Sequence, residues 1–214
     1  MLIIVAAVGL TLSIPLVTFD GAPGTTFKFY ELNDPVMGGR SSGNWSVSGS
    51  TGVFQGTVRT VPSLSAPGFI TAAADGKFAD ASAATANGAL QLELRSSTSQ
   101  YSGYRVSFAS GSALPSFACA GGGSLPVSRG CFKANFSFGA AAPGYWYNLT
   151  VPFSDFTDLW SPATGAPTKT CAQDKSACVT AEKLKHIQRM QVWGEGVNGD
   201  VKLEIRSISA VMQP

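Results

Sequence analysis

The chain has 214 residues, with 15 Lys and Arg against 13 Asp and Glu, a net charge of +2 and no run of basic residues. The electrostatic footprint that grips a phosphate backbone is therefore missing, and no nucleic-acid partner is expected. Charged residues make up only 13% of it, while 24 Gly and 12 Pro point to many turns and little exposed helix.

Residues 2–17 are apolar apart from Thr11, Ser13 and Pro15. The run falls short of the roughly 20 residues that span a membrane as a helix, and it sits where a secretory leader belongs. Residues 1–15 are expected to be an apolar leader of signal-peptide type, and residues 16–214 a single domain with no transmembrane span. No Lys or Arg precedes Lys28, so the charged start of a leader is missing and a truncated start is part of that expectation.

Strands follow one another. Leu16 to Phe19 and Phe27 to Tyr30 are divided by the turn Gly21-Ala22-Pro23-Gly24. Trp45-Ser46-Val47, then Phe54 to Val58, then Pro67 to Ile70 continue the pattern before a loose Ala/Asp/Gly stretch over residues 72–88. Beyond it the alternation is strict. Leu90, Leu92 and Leu94 oppose Gln91, Glu93 and Arg95; Tyr104, Val106 and Phe108 alternate likewise. Phe132, Ala134, Phe136 and Phe138 oppose Lys133, Asn135 and Ser137, and Val201, Leu203 and Ile205 oppose Lys202, Glu204 and Arg206. Period two means antiparallel strands with one buried face and one wet face, and the Gly/Pro/Ser turns between them predict a β-sandwich. Helix is confined to one short candidate at residues 180–187, with Thr180 as N-cap.

Four cysteines allow three pairings. Cys119 with Cys131 and Cys171 with Cys178 would each clip a Gly/Pro/Ser-rich loop, as an oxidising compartment permits. The spacing does not fit zinc. Three N-x-S/T sequons, at Asn44, Asn135 and Asn148, each put the Asn on the polar side of its strand, where a glycan could stand in water. The leader, cysteines and sequons together predict a secreted or endomembrane location.

Catalysis has little to build on. The lone His186 lies amid Lys183 and Lys185 with no serine elbow nearby. A glycan-active enzyme would need two facing carboxyls; Asp155 and Glu195 are the acids to test, without a spacing that pairs them. Glu195, Asn198 and Asp200 match no calcium loop, so no metal and no cofactor is assigned. Aromatic faces that could stack on a sugar ring or anchor a partner are offered by Trp146, Trp160 and Trp193, with Tyr101 beside them.

One stretch is neither strand nor generic linker: Asn33-Asp34-Pro35-Val36-Met37-Gly38-Gly39-Arg40-Ser41-Ser42. Asn33 and Asp34 can bond backbone, and Gly38 and Gly39 permit positive φ or close passage. This predicts a mainly structural turn, with ligand contact as the other reading for the same residues, Asn33, Asp34, Val36, Met37, Gly38, Gly39, Arg40 and Ser41. The stretch resembles the N-D-x-V-M-G-G-x-S signature of the complex I intermediate-associated protein 30 family. Phe54-Gln55-Gly56-Thr57-Val58, Pro67-Gly68-Phe69, the run from Trp146 to Phe156 with its Pro152-Phe153, and Leu203 to Ile208 resemble further family segments in order, so the likeness spans residues 16–210. It implies a galactose-binding-domain-like jelly roll, all-β and antiparallel with at most one short helix, no established catalysis, and a family role in mitochondrial complex I assembly. The expectation is a non-enzymatic module that binds a protein partner or glycan. The alternatives are a mitochondrial assembly factor and a glycan-active enzyme or its carbohydrate-binding module.

Overall fold

The computed structural model describes residues 13–34, 38–85, 87–111, 114–125, 128–139 and 143–212. In chain order the strands are β1 (Ser13–Thr18), β2 (Phe29–Asn33), β3 (Ser42–Ser48), β4 (Thr51–Val58), β5 (Thr60–Val61), β6 (Ala66–Pro67), β7 (Phe69–Asp75), β8 (Gly88–Ser96) and β9 (Tyr104–Ser110). There follow α1 (Pro115–Gly121), β10 (Cys131–Asn135), β11 (Tyr147–Pro152), α2 (Ala181–Lys185), β12 (Ile187–Glu195) and β13 (Gly199–Met212).

Two antiparallel sheets face each other. The first runs β11-β8-β13-β4-β3, and the second β10-β9-β12-β7-β2; β5 and β6 form a small separate ribbon. The 14-residue β13 organises the first sheet. One of its edges takes β8, while the other takes β4 along its first half and β1 along its second. β1 begins at Ser13, which pairs with Val211, so three of its residues lie in the stretch assigned to the leader. The inner faces supply the core: Leu90, Leu92, Leu94, Leu203 and Ile205 meet Tyr104, Val106, Phe108, Met190 and Val192. Each such side chain adds about 1.5–3 kcal/mol by leaving water, and this is the physical cause of the alternation in the sequence.

Three details depart from the sequence reading. The stretch at residues 72–88 is not loose throughout: Ala72, Ala73 and Ala74 continue β7 between β12 and β2. Alanine is a poor strand former, but a central position supplies pairing on both edges. A second short helix, α1, joins the expected α2. Pro115 at its start needs no hydrogen-bond donor there, and Gly122 caps its end at φ 55°. In α2 the Thr180 hydroxyl accepts from the Lys183 amide at 3.3 Å, as expected. The third departure is that the outer face of the second sheet is not wet. Among the described residues, Arg105, Ser107, Lys133, Gln191 and Trp193 are all buried there, beneath α1 and the segment that carries Trp160.

Both local disulfides are present, Cys119–Cys131 and Cys171–Cys178. The first ties α1 to β10 and so holds it over the second sheet. No helix among the described residues is long and apolar enough to cross a membrane.

Candidate functional site

Strand register places the outward side chains of the second sheet in rows. One row runs Leu32, Thr71, Trp193, Arg105, Asn135, and the next Tyr30, Ala73, Gln191, Ser107, Lys133. Over these rows lies a cavity of about 300 Å3. Leu32, Phe69, Trp160 and Trp193 wall it, and Arg189, Gln191 and Glu195 give it polar groups. An apolar wall with a few placed polar groups is the usual make-up of a small-molecule site.

Two of the three tryptophans singled out from the sequence meet here. Trp160 and Trp193 stand edge to face with centroids 6.4 Å apart. Their N–H groups are both occupied, Trp160 donating to the Cys131 carbonyl at 2.9 Å and Trp193 to Ser107 Oγ at 2.8 Å. Gly122 lies against the Trp160 ring, where a side chain would collide with both ring and carbonyl. The glycine run at Gly121 thus seats a loop on an indole. Trp146 is elsewhere, on the outer face of the first sheet, between Arg206 at 3.8 Å and Arg95 at 4.9 Å from its ring centre. Tyr101 is buried and donates to the Val197 carbonyl.

Beneath the cavity a charge cluster was not foreseen. Lys133 Nζ lies 2.5 Å from Glu195 Oε1 and 3.6 Å from the centre of each indole. Arg105 Nε reaches the same oxygen at 3.1 Å, and its other nitrogens donate to Asn135 Oδ1 and the Thr164 carbonyl. One carboxyl thus faces two cations, with the indole faces stabilising the ammonium. The available signal was alternation itself: Lys133, Arg105 and Glu195 all sit on the polar side of their strands. Nothing local reveals that a loop distant in the chain covers that side. At the mouth, Arg189 holds Asp75 through two hydrogen bonds of 2.6 and 2.9 Å and donates to the Tyr30 hydroxyl. These bonds from Arg189 keep the Asp75 carboxyl below its ordinary range.

Burial drives Lys133 from the usual 10.5 down to about 8, with Glu195 pulling the other way. Between pH about 8 and about 10 the unfolded chain therefore binds more protons than the folded one, and the free energy of unfolding rises with pH by about 2 kcal/mol. Denaturant titrations across this window should show the rise, and Lys133→Met should flatten it. Wild-type protein that loses stability over the same window would refute the assignment.

The signature turn lies beside the entrance strand. Asp34 is buried and accepts from the Ser41 amide at 3.0 Å and the Ser41 hydroxyl at 2.8 Å. Asn33 donates to the Gly43 carbonyl. A side chain on Gly39 would enter the Asp34 carbonyl oxygen, and one on Gly68 the Asp34 carboxyl. Gly38 has φ 79°, and Arg40 is exposed. Val36 and Met37 lie outside the described residues. Asn44, Asn135 and Asn148 are exposed, and Asn135 stands at the cluster's edge. Asp155 is also exposed and does not line the cavity, whereas Glu195 does. Glu195, Asn198 and Asp200 are engaged separately, by Lys133, Thr60 and Thr57. A shallower groove of about 540 Å3 crosses Asn44, Gln55, Thr57, Asp200 and Lys202 on the first sheet and has no aromatic wall.

The sequence matches the model of the family described as Complex I intermediate-associated protein 30 (CIA30) over residues 17–205. The chain belongs to this family. The match covers most of this CIA30 chain and agrees with the resemblance carried by the signature turn. No curated protein matches significantly. Among solved structures, the solution structure of CtCBM11 aligns with a TM-score of 0.53 at 14% identity, over 98% of this chain and 99% of that one. The family 11 carbohydrate-binding module of a cellulosomal cellulase of Clostridium thermocellum aligns at 0.51 and 13%, over 94% and 96%. The Clostridium thermocellum module in complex with a β-1,3-1,4-mixed-linked tetrasaccharide aligns at 0.50 and 13%, over 94% and 95%. At such identity these likenesses establish the sandwich fold of the CIA30 domain and nothing finer.

Proposed function

We propose that this CIA30 domain is a non-enzymatic glycan-binding module and that the cavity over the second sheet is its site. The observation that carries the reading is the convergence of Phe69, Trp160 and Trp193 with Gln191, Arg189 and Glu195 around one cavity. A sugar offers C–H faces to aromatic rings and hydroxyls to amide and charged groups, and this wall supplies both kinds of partner. Gln191 is suited to a hydroxyl because its oxygen already accepts from Ser107 at 3.4 Å, which leaves its N–H groups for a ligand. The sandwich shared with carbohydrate-binding modules supports the reading.

Gln191→Leu tests it, since the side-chain volume is kept and only polar groups are lost. Loss of about 1.4 kcal/mol of hydrogen bonding corresponds to tenfold weaker binding. On a glycan array and by calorimetry, wild-type protein should bind and Gln191→Leu should bind at least about tenfold less tightly, with folding nearly unchanged. Equal binding by the two would remove this cavity from the reading.

The proposal places the domain in the secretory pathway, supported by two disulfides and three exposed sequons. Protein from its native source should lose mass on enzymatic deglycosylation; unchanged mass would withdraw the sequons as support. The family description favours a second reading, assembly of respiratory complex I with a protein partner. Co-purification with inner-membrane complexes and four free thiols on denaturation would favour it.

A further inference from the structure

We infer that the cavity is a blind pocket that takes the terminal one or two residues of a glycan and excludes the interior of a chain. The inference rests on the glycan reading and adds to it the part of the glycan that is bound. Exposure along the two rows drops from the β2 edge inward and returns only at Asn135, on the far edge of the sheet beyond the covering segment. Leu32 and Tyr30 on β2 are 50% and 40% exposed, whereas Trp193 and Gln191 on β12 are 6% and 3%, and Ser107 and Lys133 on β9 and β10 are 0% and 1%. The site therefore opens at the β2 edge and closes before β9.

The closure is built from several independent contacts. Trp160, itself 2% exposed, rests on Lys133 and against Trp193. Its indole is anchored to β10 through the Cys131 carbonyl, and Cys131 is bonded to Cys119 of α1. Cys119 also lines the cavity, so the disulfide forms part of the rear wall. On the far side of that wall Arg105 donates to the Thr164 carbonyl, which fastens the covering segment to β9. A ligand entering past Leu32 thus meets an end and cannot continue across the sheet.

Size agrees with this. The open part spans β2, β7 and β12, two strand spacings or about 10 Å. The volume of about 300 Å3 is at the small end for ligand sites. A chain lying across all five strands would need the ground now occupied by Trp160 and α1. Within the pocket Trp193 and Phe69 offer ring surface, and Arg189 and Gln191 stand at the polar side, where a terminal residue has more free hydroxyls to offer than an internal one.

Chain-length dependence distinguishes an end-binding pocket from a chain-binding cleft. Glucose-, galactose-, mannose- and N-acetylglucosamine-based oligomers of two to six units, with their parent polymers, should be titrated calorimetrically against the full chain. The expected result is that any series that binds does so with affinity constant within about twofold from two units upward. Affinity that climbs tenfold or more between two and four units would overturn the inference and leave the glycan reading intact. Binding by no oligomer and no polymer would overturn both. Ser116→Trp supplies the second arm, because Ser116 is exposed on α1 and lines the cavity. It should weaken binding at least about tenfold without altering the circular dichroism spectrum. Unchanged binding would move the ligand to another face, such as the groove across Asn44 and Thr57, and overturn the inference.

Discussion

Gly39→Val is expected to destabilise the native fold strongly, although the residue lies in a loop. Its added Cβ would occupy the position of the Asp34 carbonyl oxygen and crowd the Asp34 carboxyl. Neither group can yield easily. Asp34 follows the last residue of β2 directly, and its carboxyl is spent on the amide and hydroxyl of Ser41. Ser41 in turn accepts from the Arg59 amide at 3.0 Å, so the turn is coupled to the chain after β4. Losing the two hydrogen bonds that this buried carboxylate accepts costs about 1.5–3 kcal/mol each, a large part of the 5–15 kcal/mol that holds a typical domain. Arg40→Ala, one residue on and exposed, should change stability by no more than about 0.5 kcal/mol. Denaturant midpoints of the two variants make the comparison. A Gly39→Val protein with the wild-type midpoint would show that the turn is free to relax and is not a structural lock.

Trp160→Ala should be nearly as damaging, by a different route. The side chain is 2% exposed, and removal of a buried Trp typically costs about 3–5 kcal/mol. It also uncovers Lys133, whose ammonium lies 3.6 Å from the ring centre. Water admitted there lifts the desolvation that depresses the Lys133 pKa, so the rise in stability between pH about 8 and about 10 should shrink in this variant. A loss of stability together with an unchanged alkaline slope would mean that Trp193 alone shields the lysine. Trp160→Phe, which keeps an aromatic face but not the N–H to the Cys131 carbonyl, should lie between the two. Unfolding curves at both ends of the pH window read all of this.

Most of the sandwich was legible in the sequence, because its cause is local and periodic. Leu90, Leu92 and Leu94, or Val201, Leu203 and Ile205, can all leave water together only if the chain is extended. The Cys119–Cys131 and Cys171–Cys178 pairs were legible through short separation, and the Asn33 to Ser42 turn through residue types that suit unusual backbone. β7 was less so, since Ala72, Ala73 and Ala74 carry no alternation and become strand only by pairing with β2 and β12 on either side. α1 was not, as its small residues show no amphipathic period.

The site belongs to the second kind. Alternation marks Lys133, Arg105, Gln191 and Glu195 as polar-side residues and by itself predicts that they face water. They do not, because the segment between β11 and α2 returns Trp160, 27 residues after Lys133 and 33 before Trp193, over them, and a disulfide holds α1 beside it. Sequence spacing has no access to that return, since the contact depends on where two sheets and a loop meet in space. Most of the strands, the turns and the cysteine pairs were thus determined by residue pattern alone, β7 being the exception. That Trp160 and Trp193 share a cavity while Trp146 stands on the opposite face, and that Lys133 is a buried ion and not a solvated one, was decided only by tertiary packing.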